Sequence, residues 1–335
     1  MVPAVPRSRG PEVRGAGRPH CADPAAPRTI GPVNSAWSGP AAPDADGIAF
    51  LKGHGTENDF VILPDPDGLL DLSAAAVARL CDRRAGIGGD GVLRVVRSAA
   101  HPEAAALAGE AAWFMDYRNG DGSVAEMCGN GVRVFARYLE RIGAAGPGEV
   151  AVATRAGIRR VRVAPPAAGG APGEVTVGMG RATLPGGEVN VTVGARTWPS
   201  HHVNMGNPHA VTFVDDLSHA GPLLDAPAVD AGDAYPDGVN VEFVVRRGPR
   251  HVALRVHERG SGETRSCGTG ACAVMVAAAR RDGVDPSVTG EPATYTVDVP
   301  GGRLVITEHP DGTVEMTGPA VIVAEGFIDP AWLRG

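Results

Sequence analysis

The sequence predicts an α/β fold of the α+β, strand-rich kind. It has two pseudo-symmetric domains, each a β-layer or barrel wrapped around a central α-helix. Three observations predict it. Segments of strand character outnumber helical ones. One long helix falls in each half. The halves also match each other. Cys128-Gly129-Asn130-Gly131 opens the first long helix, and Cys267-Gly268-Thr269-Gly270 opens the second, 139 residues later. Upstream, GTENDFV from Gly55 resembles MGNPHAV from Met205, which sets Asn58 and Asn207 149 residues apart. Two matches at similar offsets point to an old internal duplication.

In chain order, apolar patterning predicts strands at 48–52 and 60–63, then a helix over 73–84 with Ser73 as its N-cap. Strands follow at 92–97 and 112–117. A helix over 129–142 is carried by the spacing of Val132, Phe135, Ala136 and Leu139. Strands at 150–154, 158–163 and 175–177 complete the first half, with 165–173 as a hairpin loop. The second series has strands at 188–193, 196–203, 210–214, 239–245 and 251–257, a helix over 268–281, and strands at 293–299, 303–307 and 314–317. The expected domains are 47–183 and 184–335, with the last strand free to pack back on the first domain.

Residues 1–46 differ from the rest. They hold nine prolines and five arginines without apolar periodicity, so a disordered N-terminal extension is expected there. As a signal peptide the segment lacks an apolar stretch of about seven residues or more. A start codon assigned upstream of the true one fits the same composition.

Composition excludes several function classes. The net charge of −7 argues against general nucleic-acid binding. The longest apolar run, 271–279, is half of the roughly 18 residues a membrane span needs. Five cysteines at scattered positions, with no CxxC, fit neither a secreted disulfide framework nor a four-cysteine zinc site. A reducing, cytoplasmic setting is expected. Lys52 is the only lysine in the chain, and no phosphate loop follows it. A pyridoxal-phosphate Schiff base or a Walker-type lysine is therefore not expected.

The paired CGxG helix starts carry the chemistry. A cysteine at a helix N-terminus meets unpaired N–H groups and the positive end of the helix dipole, which favour thiolate and predict a thiol pKa shifted toward neutrality. The glycines allow close backbone approach, and the N–H groups at the helix start can hold a carboxylate. Cys272 and Cys81 read as core residues, and Cys21 lies in the extension. The run Gly86-Ile87-Gly88-Gly89-Asp90-Gly91 fits GxGxxG, but it follows a helix and precedes a strand. It reads as a tight loop, not a dinucleotide site.

His257-Glu258-Arg259-Gly260 ends a strand, and Asn207-Pro208-His209 begins one. Glu258 and His209 could orient a substrate amine or assist a thiol, and Arg259 could clamp a carboxylate bidentately. Asn119 sits in the turn-forming Asn119-Gly120-Asp121-Gly122. His201, His202, His209 and His257 lack a zinc-ligand spacing, so no metal site is expected. Two thiols around one carboxylate pocket suit inversion of a carbon that bears a hydrogen: one base takes the proton from one face, and an acid returns one to the other.

At these residues the sequence resembles the diaminopimelate epimerases. The segments that carry the resemblance are HGTENDFV, DRRAGIGGDG, YRNGDGSVAEMCGNG, MGNPHAV, GVNVEF and HERGSGETRSCGTGA, and it runs from about Ile48 to the C-terminus. It implies two α/β domains with the active site in the cleft between them. It implies an isomerase that converts LL-2,6-diaminopimelate to the meso form without a cofactor, in lysine and peptidoglycan biosynthesis. By position, Cys128 and Cys267 are the acid/base thiols, and His209 and Glu258 assist them. Gly129, Asn130, Gly268 and Thr269 hold the α-carboxylate. Asn58, Asn119, Asn207, Asn240, Glu258 and Arg259 hold the remaining polar groups. One departure is Gly91, where many members have Gln. The expected partner is the small-molecule substrate, with no nucleic acid and no membrane; a homodimer is left open. The alternatives are a proline or hydroxyproline racemase of the same fold, or a dithiol redox switch made by Cys128 and Cys267.

Overall fold

The structure, a computed structural model, describes residue 1, residues 47–167 and residues 169–334. Apart from Met1, the expected N-terminal extension lies outside the described residues. The first half runs β1 (Ile48–Gly55), β2 (Asn58–Pro64), α1 (Ala74–Cys81), β3 (Gly91–Arg97), β4 (Trp113–Asn119), α2 (Gly129–Arg141), β5 (Gly148–Thr154), β6 (Gly157–Val163) and β7 (Val175–Arg181). The second runs β8 (Val189–Val193), β9 (Arg196–Asn204), β10 (Pro208–Phe213), β11 (Ala228–Asp230), β12 (Asn240–Gly248), β13 (His251–Glu258), β14 (Gly262–Glu263), α3 (Gly268–Arg281), α4 (Pro286–Thr289), β15 (Ala293–Val299), β16 (Gly302–Glu308) and β17 (Thr313–Gly318). Then come β18 (Val321–Ile328) and a short helix α5 (Pro330–Arg334).

Strand pairing repeats between the halves. In the first, neighbours run β18-β1-β2-β3-β4-β5-β6-β7, with β2–β3 and β4–β5 parallel and the other pairs antiparallel. In the second they run β8-β9-β10-β12-β13-β15-β16-β17, with β10–β12 and β13–β15 parallel. The order and the sense of every pair coincide, so the duplication read from two short motifs extends through the whole layer. The equivalent end strands β7 and β17 pair with each other, Val175 opposite Gly318, and join all the strands into one network.

Each layer curves around its helix. Helix α2 packs against β1 to β7 and β18, and α3 against β9, β10, β12, β13 and β15 to β17. Strands β15, β16 and β17 show why: alternate residues such as Tyr295, Val297, Leu304, Ile306, Val314 and Met316 are buried while their neighbours stay partly exposed. An amphipathic helix would bury one face. Instead, every residue of α2 from Gly129 to Leu139 is buried. Arg137 is accommodated there by donating to the Ala320 and Gly173 carbonyls and by pairing with Glu140.

The structure departs from expectation in three places. Helix α1 stops at Cys81 rather than near residue 84, because Asp82 Oδ1 accepts the N–H groups of Arg84 and Ala85 and so competes with the helix. The short strands β11 and β14 and the small helices α4 and α5 have no counterpart among the expected elements. Neither does β18, whose sequence VIVAEGFI lacks clean alternation and whose residues 323–325 are exposed. It forms because it fills, beside β1, the place that β8 fills beside β9.

Candidate active site

Helices α2 and α3 begin alike. Cys128 is the N-cap of α2, and its Sγ accepts the Gly131 N–H at 3.5 Å. Cys267 is the N-cap of α3, and its Sγ accepts the Gly270 N–H at 3.3 Å. Both therefore take the place that Ser or Asp takes in most helix caps. Glycine follows for a packing reason that the sequence alone does not reveal. A Cβ on Gly129 would lie 2.7 Å from the Met316 methyl and 2.8 Å from that of Met179, and one on Gly268 would lie 3.2 Å from the Met316 methyl. Met316 on β17 thus sits against both helix starts.

On the first side, Asn58 at the head of β2 turns its Oδ1 to Cys128 Sγ at 3.5 Å and to Asn130 Nδ2 at 3.2 Å. Its Nδ2 donates to Asp90 Oδ2 at 2.7 Å. Asp90 belongs to the GIGGDG loop, which follows α1 and leads into β3 without opening a helix. Arg83 bridges Asp90 and Asp59, and Lys52 donates to Asp59 and to the Gly88 carbonyl. Burial alone would raise the Asp59 pKa, but the hydrogen bonds from Arg83 and Lys52 hold it well below the usual carboxylate range. The chain's one lysine is therefore committed to an ion pair. At Gly91, a Cβ would stand 2.5 Å from the Arg118 carbonyl oxygen and 2.8 Å from Tyr117, so the departure from Gln has a steric reason here. Asn119, opposite Gly91 across β3 and β4, spends its side chain on Ser123 Oγ at 2.9 Å.

On the second side a chain of contacts, buried at His209 and half-buried at Asn207 and Thr269, leads to Cys267. His209 and Glu242 are both fully buried and meet at 2.6 Å through Nδ1 and Oε1. His209 Nε2 lies 3.1 Å from Asn207 Oδ1, Asn207 Nδ2 donates to Thr269 Oγ1 at 3.3 Å, and Thr269 Oγ1 lies 3.5 Å from Cys267 Sγ. His209 is thus one residue removed from Thr269 and two from the thiol. Glu258, at the end of β13, accepts a hydrogen bond from the Thr264 hydroxyl and sits beside Cys267; burial raises its pKa above the ordinary carboxylate value. Asn240 holds the same corner, accepting the Arg259 N–H at 3.0 Å and donating to the Pro208 carbonyl at 3.2 Å. The Arg259 guanidinium is exposed and touches the Asp237 carbonyl at 3.3 Å.

Links between the two sides converge on Ser266. Asn130 Nδ2 donates to the Ser266 carbonyl at 3.0 Å, immediately before Cys267. Thr56 Oγ1 lies 2.6 Å from Ser266 Oγ. Thr56 is buried and takes φ of +51°, a left-handed conformation that costs a β-branched residue energy and that the surrounding bonds hold in place.

The expected drop in thiol pKa is not what the structure holds. Burial pushes Cys128 up to about 11, with the Gly131 N–H pulling it down and Glu258 pushing it further up. Burial also pushes Cys267 well above its usual value, and the carboxylates Glu258 and Glu242 add to that. Desolvation and neighbouring acids outweigh the helix start because both sulfurs are enclosed by protein atoms. Cys272 and Cys81 are buried core residues, as expected. Among the described residues no group of His, Cys, Asp or Glu could hold a metal. Sequence reasoning did not single out Glu242, Ser266, Thr56 or Asp90 for a role, although each lies inside a motif quoted above.

Comparison with known proteins bears on this arrangement. A family model described as diaminopimelate epimerase matches residues 50–185 and 201–323. A protein of Streptomyces coelicolor named diaminopimelate epimerase is 73% identical over 288 residues, covering 86% of this chain and 98% of that one. Two solved structures share the fold at low identity. One is a Bacillus anthracis phenazine biosynthesis protein of the PhzF family, with TM-score 0.62 and 14% identity over 85% of this chain and 99% of that one. The other is a hydroxyproline epimerase from Agrobacterium vitis, with TM-score 0.59 and 15% identity over 85% of this chain and 94% of that one.

Proposed function

This chain belongs to the diaminopimelate epimerase family, and we propose that its two helix-capping thiols work on opposite faces of one α-carbon. The enzyme is an isomerase that converts LL-2,6-diaminopimelate to meso-diaminopimelate, a step of lysine biosynthesis that also feeds peptidoglycan. The observation that carries the two-thiol reading is the equivalence of Cys128 and Cys267: each caps the central helix of a duplicated half. The substrate's α-carboxylate lies on the N–H groups of Gly129, Asn130, Gly268 and Thr269, where both helix dipoles favour negative charge. One cysteine, as thiolate, takes the α-proton and becomes a thiol. The negative charge moves onto the carbon and its carboxylate, opposite the helix starts. The other cysteine gives its proton to the far face and is left as thiolate, so turnover in the reverse direction begins from that state.

Both thiols sit high in the substrate-free protein. The α-ammonium brought between them adds a positive charge that favours thiolate. Glu258, beside Cys267, receives that ammonium, while His209 fixes Thr269 through Asn207. Asn58 orients Cys128. Arg259 takes the distal amino-acid end, where its exposed guanidinium can meet a carboxylate; Asn240 steadies it through the Arg259 N–H, and Asn119 reaches the substrate by giving up its Ser123 contact. No lysine is available for pyridoxal chemistry, since Lys52 is held by Asp59. We read residues 47–183 and 184–335 as two domains, with β18 returned to the first. Free thiols at Cys81, Cys128, Cys267 and Cys272 suit a reducing cytoplasm. Among the described residues no helix is long and apolar enough to cross a membrane.

Incubation of a single diaminopimelate isomer in deuterated water tests this. Deuterium should enter the α-position as the second isomer appears. Turnover of proline or hydroxyproline, with diaminopimelate left unchanged, would move the chain to the racemase reading.

A further inference from the structure

Arg133, the fifth residue of α2, is the bulkiest fully buried side chain among the described residues. Among the described residues none of its hydrogen-bond partners is a carboxylate. Nη1 donates to Asn130 Oδ1 at 2.8 Å and meets Met316 Sδ at 3.4 Å, Nη2 donates to Thr56 Oγ1 at 3.3 Å, and Nε donates to the Pro319 carbonyl at 3.4 Å. A buried cation without an anion is costly, because neutral dipoles replace only part of its lost hydration. The fold nonetheless makes room for it. Gly55 is needed because a Cβ there would lie 2.9 Å from Nη2.

Its position explains the expense. Three of the four groups it holds join the two helix starts. Asn130 spans to Ser266, Thr56 bonds the Ser266 hydroxyl, and Met316 covers Gly129 and Gly268. By taking Asn130 Oδ1, the guanidinium forces Nδ2 to be the atom that faces Ser266 and Asn58.

We propose that Arg133 is the resident counter-charge of the carboxylate site, a positioning residue that fixes Asn130 across the two helix starts and offsets the negative charge that gathers there during turnover. This rests on the two-thiol reading above. The charged and titratable groups around Arg133 agree with it. They are Cys128 at the start of α2, Cys272 on α3 and Glu174 before β7, with Glu258 acting on Cys128 from β13. Burial lowers the guanidinium to about 10, which leaves it charged at neutral pH, and it in turn favours the Cys128 thiolate.

Arg133→Gln keeps an amide donor and removes the charge; Arg133→Lys keeps the charge and loses the fork. The measurements are kcat/KM for diaminopimelate, the rise in Tm that substrate produces, and the pH dependence of Cys128 alkylation. For Arg133→Gln we expect kcat/KM to fall about a hundredfold, most of the substrate-induced Tm rise to vanish, and alkylation to shift to higher pH. Arg133→Lys should return kcat/KM to within about tenfold of wild type. The inference is overturned if Arg133→Gln stays within about tenfold of wild type, or if a folded Arg133→Lys loses as much as Arg133→Gln. Should Arg133→Gln fail to fold, Arg133→Lys decides alone: a loss within about tenfold supports the counter-charge, and a larger one overturns it. An inactive wild-type protein would instead refute the two-thiol reading, so the two failures are separable.

Discussion

Asn130 donates its side-chain amide to the backbone carbonyl of Ser266 at 3.0 Å, and so ties the first turn of α2 to the residue that precedes the opposite thiol. On the two-thiol reading proposed above, a bond at this place helps keep both proton paths on one substrate carbon.

Replacing either thiol by a hydroxyl keeps the shape and raises the proton-transfer pKa far above neutral. Cys128→Ser and Cys267→Ser should each lower epimerisation by about a hundredfold or more. Each should still exchange the α-hydrogen of one isomer, and the two variants should prefer opposite isomers, read as deuterium uptake by mass spectrometry. Cys272→Ala, in the core of α3, should leave the chemistry intact. If both active-site variants exchanged the same isomer, the opposite-face assignment would be wrong.

Because the Cys128 thiol sits near 11 in the substrate-free protein, it is protonated at neutral pH. Its alkylation by iodoacetamide should rise with pH through the alkaline range instead of levelling off near pH 7, since only the thiolate reacts. Cys267, more buried and flanked by two carboxylates, should react more slowly at every pH. A plateau near neutrality would mean that the helix start prevails over burial after all.

His209 and Glu242 form a pair shielded completely from solvent, and Glu242 Oε2 has no hydrogen-bond partner among the described residues. Removing the imidazole strands the carboxylate. His209→Ala should cost about 3–5 kcal/mol, and His209→Ala combined with Glu242→Gln should recover about 1 kcal/mol or more. Urea unfolding of the two single variants and the double variant measures the coupling. Strict additivity would show that the pair is energetically independent.

Arg259 places its guanidinium at the exposed end of the second side with one carbonyl contact. A planar fork binds a carboxylate through two parallel bonds, which an ammonium cannot copy. Arg259→Lys should lower kcat/KM for diaminopimelate by about tenfold or more, chiefly through KM. An unchanged value would put the distal carboxylate elsewhere.

Much of this architecture is legible in the chain because local rules and the tertiary fold agree. Ser73 caps α1, Gly268–Arg281 is helical over its whole predicted span, and strands such as β15 alternate cleanly. The duplicated Cys-Gly pairs mark both helix starts, since a helix cap and its following glycines are short-range features. What is not legible depends on distant neighbours. VIVAEGFI becomes a strand through its partner β1, which no local pattern names. The thiol shifts reverse direction because burial is a property of the finished pocket. Gly129 is glycine on account of Met179 and Met316, each far along the chain. Arg133 reads as one polar residue on an amphipathic helix until the layer closes around it.

The return of β18 to β1 sets a timetable for assembly. During synthesis the first half emerges with one edge of β1 unpaired, and that edge stays exposed until residues 321–328 have been made; Ile328, the register partner of Ile48, lies 280 residues behind it. A strand edge left open that long can pair with other chains, so the nascent protein carries its greatest aggregation hazard in the half that is made first. The second half has no such wait, because β8 precedes β9 and its layer can close in the order in which it leaves the ribosome.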